Sequence, residues 1–275
     1  MLTWGALNVI GASASRRQAF DKQQAAVVTA VEAELDKLGT ERSIEGYRAK
    51  AYLYCLEVTC PETGWRVPLA PGWIVSHSQR SVAVLVPNHQ EQRFDIEIRS
   101  GVSDEVFASA RTGTIQGGDM VYTLDGIEHR VPVRTIRGDH RSARGNENSL
   151  RPWDATDVSP REDDTFRERM YCIHWSLPNG STLFRAPDSH DIATDRRTED
   201  LVRSSLPKWQ KLGWAPDMAI TSGDKTDELI RSRGWTHWHH LFVPRELLVF
   251  AMWRKHAPYP ICLLYTSPSP RDRTR

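Results

Sequence analysis

Residues 54–69, Tyr-Cys-Leu-Glu-Val-Thr-Cys-Pro-Glu-Thr-Gly-Trp-Arg-Val-Pro-Leu, constrain this chain more than any other stretch. The segment begins as an alternating, aromatic strand, meets a Cys-Pro-x-x-Gly turn at Cys60, and leaves as a second strand. That is the outline of a zinc knuckle, in which two thiolates from one tight turn point at a single metal ion. The second thiolate is missing, because the residue three positions after Cys60 is Thr63. A ribbon also needs a second knuckle, and the candidate is Met120-Val-Tyr-Thr-Leu-Asp-Gly126, again strand, turn and glycine. Its ligand positions fall on Tyr122 and Asp125. The set Cys60, Thr63, Tyr122 and Asp125 holds one thiolate and would leave any ion open to water, so no zinc is expected. Cys55, five residues before Cys60, has the wrong spacing to restore the site. The expectation is a ribbon-like β module held by packing.

Around that module the pattern predicts an α+β chain. Ser13 or Ser15 caps a helix over about 16–38, whose Phe20, Val27, Val28, Val31, Leu35 and Leu38 recur every three or four residues and whose stop is Gly39. Strands are predicted over 51–58, 74–76, 82–86 and 94–98, then a short helix from Ser103 to about Ala110. Residues 121–122 and 129–133 form the hairpin that closes the module. Gly113 and Gly117-Gly118 read as turns and not as a phosphate loop, since no Lys-Ser/Thr follows. Further on come a strand over 169–177, a Pro178-Asn-Gly180 turn, and a second strand over 182–185. A helix over about 188–212 follows, which Pro207 either kinks or restarts, and then a helix opened by Pro244. The domain reading is 1–50 helical segment, 51–136 degenerate zinc-ribbon-like β module, 137–165 basic polar loop or linker, and 166–261 smaller α/β helix-and-hairpin region. Residues 4–10 look like the close of an element that begins earlier.

Two stretches carry candidate chemistry. The loop holds Arg134, Arg137, His140, Arg141, Arg144 and Arg151 with few acids between them. It reads either as a solvated loop or as a phosphate contact, where each cation displaces counterions from nucleic acid. The second stretch is Arg231-Ser-Arg-Gly-Trp-Thr-His-Trp-His-His-Leu-Phe242. The spacing of His237, His239 and His240 fits one metal only on an unusual backbone. The run otherwise packs between elements, or presents Trp235 or Trp238 beside Arg231 and Arg233 as a stacking platform for an unstacked base.

Several runs resemble one known family. They are Gly46-Tyr-Arg-Ala-Lys-Ala-Tyr-Leu-Tyr-Cys55, residues 60–71, Arg93-Phe-Asp-Ile-Glu-Ile98, Glu168-Arg-Met-Tyr-Cys-Ile-His-Trp175, and residues 223–242. They are similar to the large adenine-specific DNA methylases that carry a zinc-ribbon insert, and the resemblance spans nearly everything from Trp4 to about Tyr259. It implies a parent enzyme that transfers a methyl group from S-adenosylmethionine to the exocyclic amine of adenine in DNA, in a restriction or phage-defence setting. Such an enzyme grips its base with a D/N-P-P-Y/F motif and its donor with a glycine-rich turn. No two prolines are adjacent in this chain and no F-x-G-x-G turn occurs. The chain therefore reads as an internal fragment, a partial methyltransferase chain that is inactive alone, with no catalytic or cofactor-binding residue of its own. Its expected contribution is DNA engagement through Arg137, Arg141, Arg144, Arg231, Arg233, Trp235 and Trp238. The alternative is a non-catalytic ribbon-like module that binds protein or nucleic acid. DNA is the expected partner, beside possible defence-system proteins.

Composition bounds the rest. A net charge of +1 does not by itself announce a nucleic-acid binder. No apolar run reaches the roughly 18 residues of a membrane helix, so no membrane partner is expected. Four irregularly spaced cysteines form no disulfide framework, which points to a reducing cytoplasm. Residues 262–275 shift to Ser/Pro and then to alternating Arg, and they resemble translated sequencing-adapter sequence.

Overall fold

The computed structural model describes residues 13–142, 145–223 and 225–257. The readings made on residues 4–10, on Arg144 and on 262–275 lie outside them. The architecture is α+β. The first helix, α1 (Ala14–Leu38), starts behind Ser13 and buries Val27, Val31 and Leu35 on one stripe, while Leu38 is exposed.

The central strand is β1 (Arg48–Thr59), in which tyrosines, leucine and valine suit a pleated, half-buried surface. It is followed by β2 (Arg66–Leu69), β3 (Ile74–Ser76), β4 (Ser81–Asn88) and β5 (Arg93–Arg99). Helix α2 (Asp104–Ser109) is capped as its sequence predicts, with the Val106 N–H donating to Ser103 Oγ at 3.4 Å. A small antiparallel sheet comes next, β6 (Ile115–Gln116), β7 (Asp119–Leu124) and β8 (Ile127–Pro132). Asp125 and Gly126 have φ of 52° and 80°, the paired left-handed residues of a two-residue hairpin, which explains the Asp-Gly here.

The remaining strands are β9 (His140–Ser142), β10 (Gly145–Glu147), β11 (Arg167–Ser176) and β12 (Thr182–Arg185). In the main sheet the order is β12-β11-β1-β2-β5-β4-β3, antiparallel except where β2 meets β5 at Arg66 and Arg93. The division expected between 51–136 and 166–261 is crossed by the ladder of β1 with β11, which runs from Arg48 opposite Ser176 to Glu57 opposite Arg167. Two half-buried strands each had an unsatisfied edge, and pairing them satisfies both. The sheet also curls, so that the Gln79 amide beyond β3 donates to the Thr182 carbonyl (3.2 Å) and hydroxyl (2.7 Å) on β12.

One helical layer completes the fold. Helix α3 (Val133–Arg137) follows β8, and α4 (Ser189–Lys211) is opened by a reciprocal cap between Asp188 and Asp191. It runs unbroken through Pro207, because its buried stripe Val202, Leu206 and Trp209 packs on either side of the proline. Helices α5 (Asp227–Arg233) and α6 (Pro244–His256) close the chain, and α6 packs Leu247, Leu248, Ala251 and Met252 against α1 and α4. Among the described residues no helix is long and apolar enough to cross a membrane.

Segment 137–165 is more than a polar linker. It contains the end of α3, the β9–β10 hairpin and a knot of ion pairs. Arg151 reaches Asp157 (2.7 Å) and Asp164 (2.8 Å), and Arg161 joins Asp157 (2.9 Å) and Asp154. The acids that follow the arginines in sequence fold back on them and neutralise much of the basic character.

Candidate nucleic-acid groove

The ribbon positions come together in part. Cys60 closes a tight turn, its N–H donating to the Trp65 carbonyl (2.8 Å) and its carbonyl accepting from Gly64 (2.9 Å). Thr63 Oγ1 and the Tyr122 hydroxyl share a hydrogen bond of 2.7 Å, and both hydroxyls reach the Cys60 thiol. Three of the four positions thus meet across the two knuckles, in the same core that buries Trp65, Val67, Phe94 and Met120. Burial pushes the Cys60 thiol up, but hydrogen bonds from Tyr122, Thr63 and the local backbone outweigh it, and the net direction is down. Asp125 does not join them. It sits exposed at the β7–β8 turn with His89 at 3.3 Å.

Beside this node lies a groove of about 1000 Å³. Its floor is formed by Leu56 of β1, Leu69 of β2, Ile115 of β6, Tyr171 of β11 and the preceding Phe166. One rim is α3, whose Arg134 and Arg137, three residues apart, lie on one helical face. The end of α5 also lines the groove, where Ser232 and Arg233 precede the left-handed C-cap Gly234. Gly117, Gly118 and Asp119 form a wall, and Asp119 is tied to Arg130 at 3.3 Å. The wall is set by a close approach: at Gly113 a Cβ would lie 2.0 Å from the Ala70 carbonyl, so only glycine lets the chain into β6 lie against residues 70–72.

The arginines of the groove are held differently. Arg137 forms a two-pronged pair with Asp139, Nε to Oδ1 at 3.1 Å and Nη2 to Oδ2 at 2.6 Å. Arg134 is exposed and forms no ion pair among the described residues. Arg233 places its guanidinium over Phe166 (5.8 Å) and Trp235 (5.3 Å). Burial lowers its pKa, against the opposing pull of Glu168. Glu168 shares a small cavity with Arg233, Trp153 and Trp235, and its own carboxyl is pushed up to about 7 by burial.

Of the residues singled out in the sequence, the fold therefore brings Arg134, Arg137 and Arg233 into one groove. Arg141 is exposed on β9, opposite Asn146 in the hairpin register, and does not line the groove. Arg231 is exposed and paired with Glu228. Trp235 is half-buried, edge-on to Trp153 at 6.4 Å, and lines the small cavity behind Arg233. Trp238 opens a 3-10 turn (Trp238–Leu241) away from the groove, its N–H donating to the Met218 carbonyl at 3.1 Å. Phe166 and Tyr171 were not marked as site residues, because an aromatic beside or within a strand reads as core.

The histidines pack. His240 Nδ1 accepts from the N–H groups of Thr236 (3.1 Å) and His237 (3.2 Å), so its Nε2–H donates to the Asp154 carbonyl at 3.1 Å. Burial then takes its pKa down to about 4, and the ring stays neutral. His239 is fully buried, with Nε2 3.2 Å from the Asp157 carbonyl. Asp188, His190 and Asp191 come close enough together to share a cation. Both carboxylates already serve the α4 cap, and the Arg185 guanidinium sits 3.3 and 3.5 Å from them. No protein-family profile, curated protein or solved structure matches the chain.

Proposed function

We propose that this chain is the DNA-engaging internal part of an S-adenosylmethionine-dependent adenine methyltransferase, and that its groove holds the sugar-phosphate backbone. The enzyme class rests on the resemblance of residues 46–55, 60–71, 93–98, 168–175 and 223–242 to adenine-specific DNA methylases. The DNA-engaging role rests on one observation: Arg134 and Arg137 from α3 and Arg233 from α5 line a single concavity whose lining has one carboxylate, Asp119, itself paired to Arg130. Arg137 is paired with Asp139, so the positive potential that the recess presents to a polyanion comes chiefly from Arg134 and Arg233. Methyl transfer belongs to the parent protein, and the chain alone is expected to be inactive with donor and DNA.

The test is a salt titration of DNA binding by the chain and by its Arg137→Glu, Arg233→Glu double variant. Each phosphate contact contributes roughly 0.9 to the slope of log affinity against log salt, so the variant should lose affinity and about two units of slope. An unchanged slope would remove the groove from DNA binding. A second reading, a non-catalytic binding module, draws on the way the ion-pair knot of 151–164 and the β1–β11 ladder tie up most of the polar edges. Methyl transfer by the intact gene product separates the two.

A further inference from the structure

We infer that the groove takes single-stranded DNA, its bases against the apolar floor and its phosphates on the arginine rims. The inference rests on the proposed DNA engagement and narrows it to one physical form of the ligand. Shape is the first argument. Duplex DNA is read by an element that protrudes into a groove of the double helix, a helix or a two-stranded ribbon. Here Arg134, Arg137 and Arg233 line a recess of about 1000 Å³ together with residues of β1, β2 and β11. That volume is at the upper end of the roughly 300–1000 Å³ typical of small-ligand clefts, which suits a few nucleotides of one strand.

Chemistry is the second argument. A site built only for phosphates has no use for an apolar floor, yet Leu56, Leu69, Ile115, Phe166 and Tyr171 form one here. Paired bases keep their faces stacked inside the duplex and cannot reach such a surface. Unstacked bases can, and stacking on aromatic side chains beside a basic track is how single strands are held without sequence preference. The Arg233 guanidinium lies over the Phe166 ring, so a base reaching Phe166 also meets a cation.

Rim geometry is the third argument. Arg137 is oriented by its two bonds to Asp139, and Arg233 by Phe166 and Trp235, so neither needs to be ordered when a ligand arrives. Arg134, exposed and without an ion pair among the described residues, keeps its full charge for a phosphate.

The experiment uses the full chain with a fluorescent oligothymidine of about 12 nucleotides, within the range of single-strand site sizes, and a hairpin duplex of the same strand length. The single strand should bind about tenfold tighter than the duplex. Phe166→Leu, which keeps an apolar side chain at that place in the core, should cost the single strand about tenfold and leave duplex binding unmoved. Arg134→Gln with Arg137→Gln, on the exposed helix α3, should weaken the single strand and flatten its salt dependence. Duplex bound as tightly as the single strand, or an unchanged ratio in Phe166→Leu, overturns the inference while leaving DNA engagement in place. No binding of either form overturns both.

Discussion

At Cys60 a thiol, the Thr63 hydroxyl and the Tyr122 phenol form one hydrogen-bonded node in the place where a ribbon would hold its ion. Cys60 and Tyr122 are buried and Thr63 is half-buried, so removing the phenol leaves the Thr63 hydroxyl short of a partner. Tyr122→Phe breaks the 2.7 Å bond to Thr63 and should cost about 1 kcal/mol, seen as a lower urea midpoint with an unchanged slope. An unshifted midpoint would show that the bond contributes nothing to stability. Glu168 supplies the second prediction at this scale. Burial raises its folded pKa from 4.5 to about 7. An acid raised on folding contributes stability that is intact below its ordinary range and lost as pH rises through the folded value. Stability of the wild type should therefore fall between about pH 4.5 and 7, by at most about 3 kcal/mol. Glu168→Gln should flatten that part of the pH profile, and a profile identical to wild type would remove Glu168 as its source.

Between elements, the helical layer is fastened to the sheet by Arg245 of α6, whose side chain is 6% exposed. It bonds Asp195 of α4 (2.6 Å) and the Thr40 carbonyl beyond α1 (2.6 Å), and it lies 4.0 Å over the ring of Tyr52 on β1. The Tyr54 hydroxyl donates to the same Asp195 at 2.8 Å. Four parts of the chain thus share one buried charge. Truncation to Ala leaves Glu41 and the half-buried Asp195 without their cation, and breaking a pair buried on the arginine side costs about 3 kcal/mol. Arg245→Ala should show that loss in chemical denaturation, and a change under about 1 kcal/mol would mean that water replaces the guanidinium. The elements themselves were readable to different degrees. Ser103, Pro244, the Pro178-Asn-Gly180 turn and the alternation of β4, β5 and β12 mark their elements locally. Helices α3 and α5 and the β9–β10 hairpin were not legible, because five, seven and three residues are too few to display a period.

Across the whole molecule, the ladder of β1 with β11 joins the ribbon-like part to the later strands, and the Gln79–Thr182 bonds draw the ends of the sheet together. A chain sewn in this way should unfold in one transition, with fluorescence of its ten tryptophans and far-UV circular dichroism coinciding. Separate transitions for the two signals would mean that the parts are independent domains. Half of the candidate site was visible in the sequence. Arg137 and Arg233 stood out as cations in polar or aromatic runs, whereas Phe166 and Tyr171 did not, and Arg141, Arg231 and Trp238 were drawn in by composition and lie elsewhere. By itself the sequence determined the α+β class, the tight turn at Cys60 and most strand and helix positions, since caps, turns and alternation act over a few residues. Only the tertiary structure decided that β1 pairs with β11 and that Arg137 and Arg233 line one groove together with Leu56, Leu69 and Phe166. Those contacts join residues far apart in the chain, and their energy comes from burial and edge pairing, which no local pattern encodes.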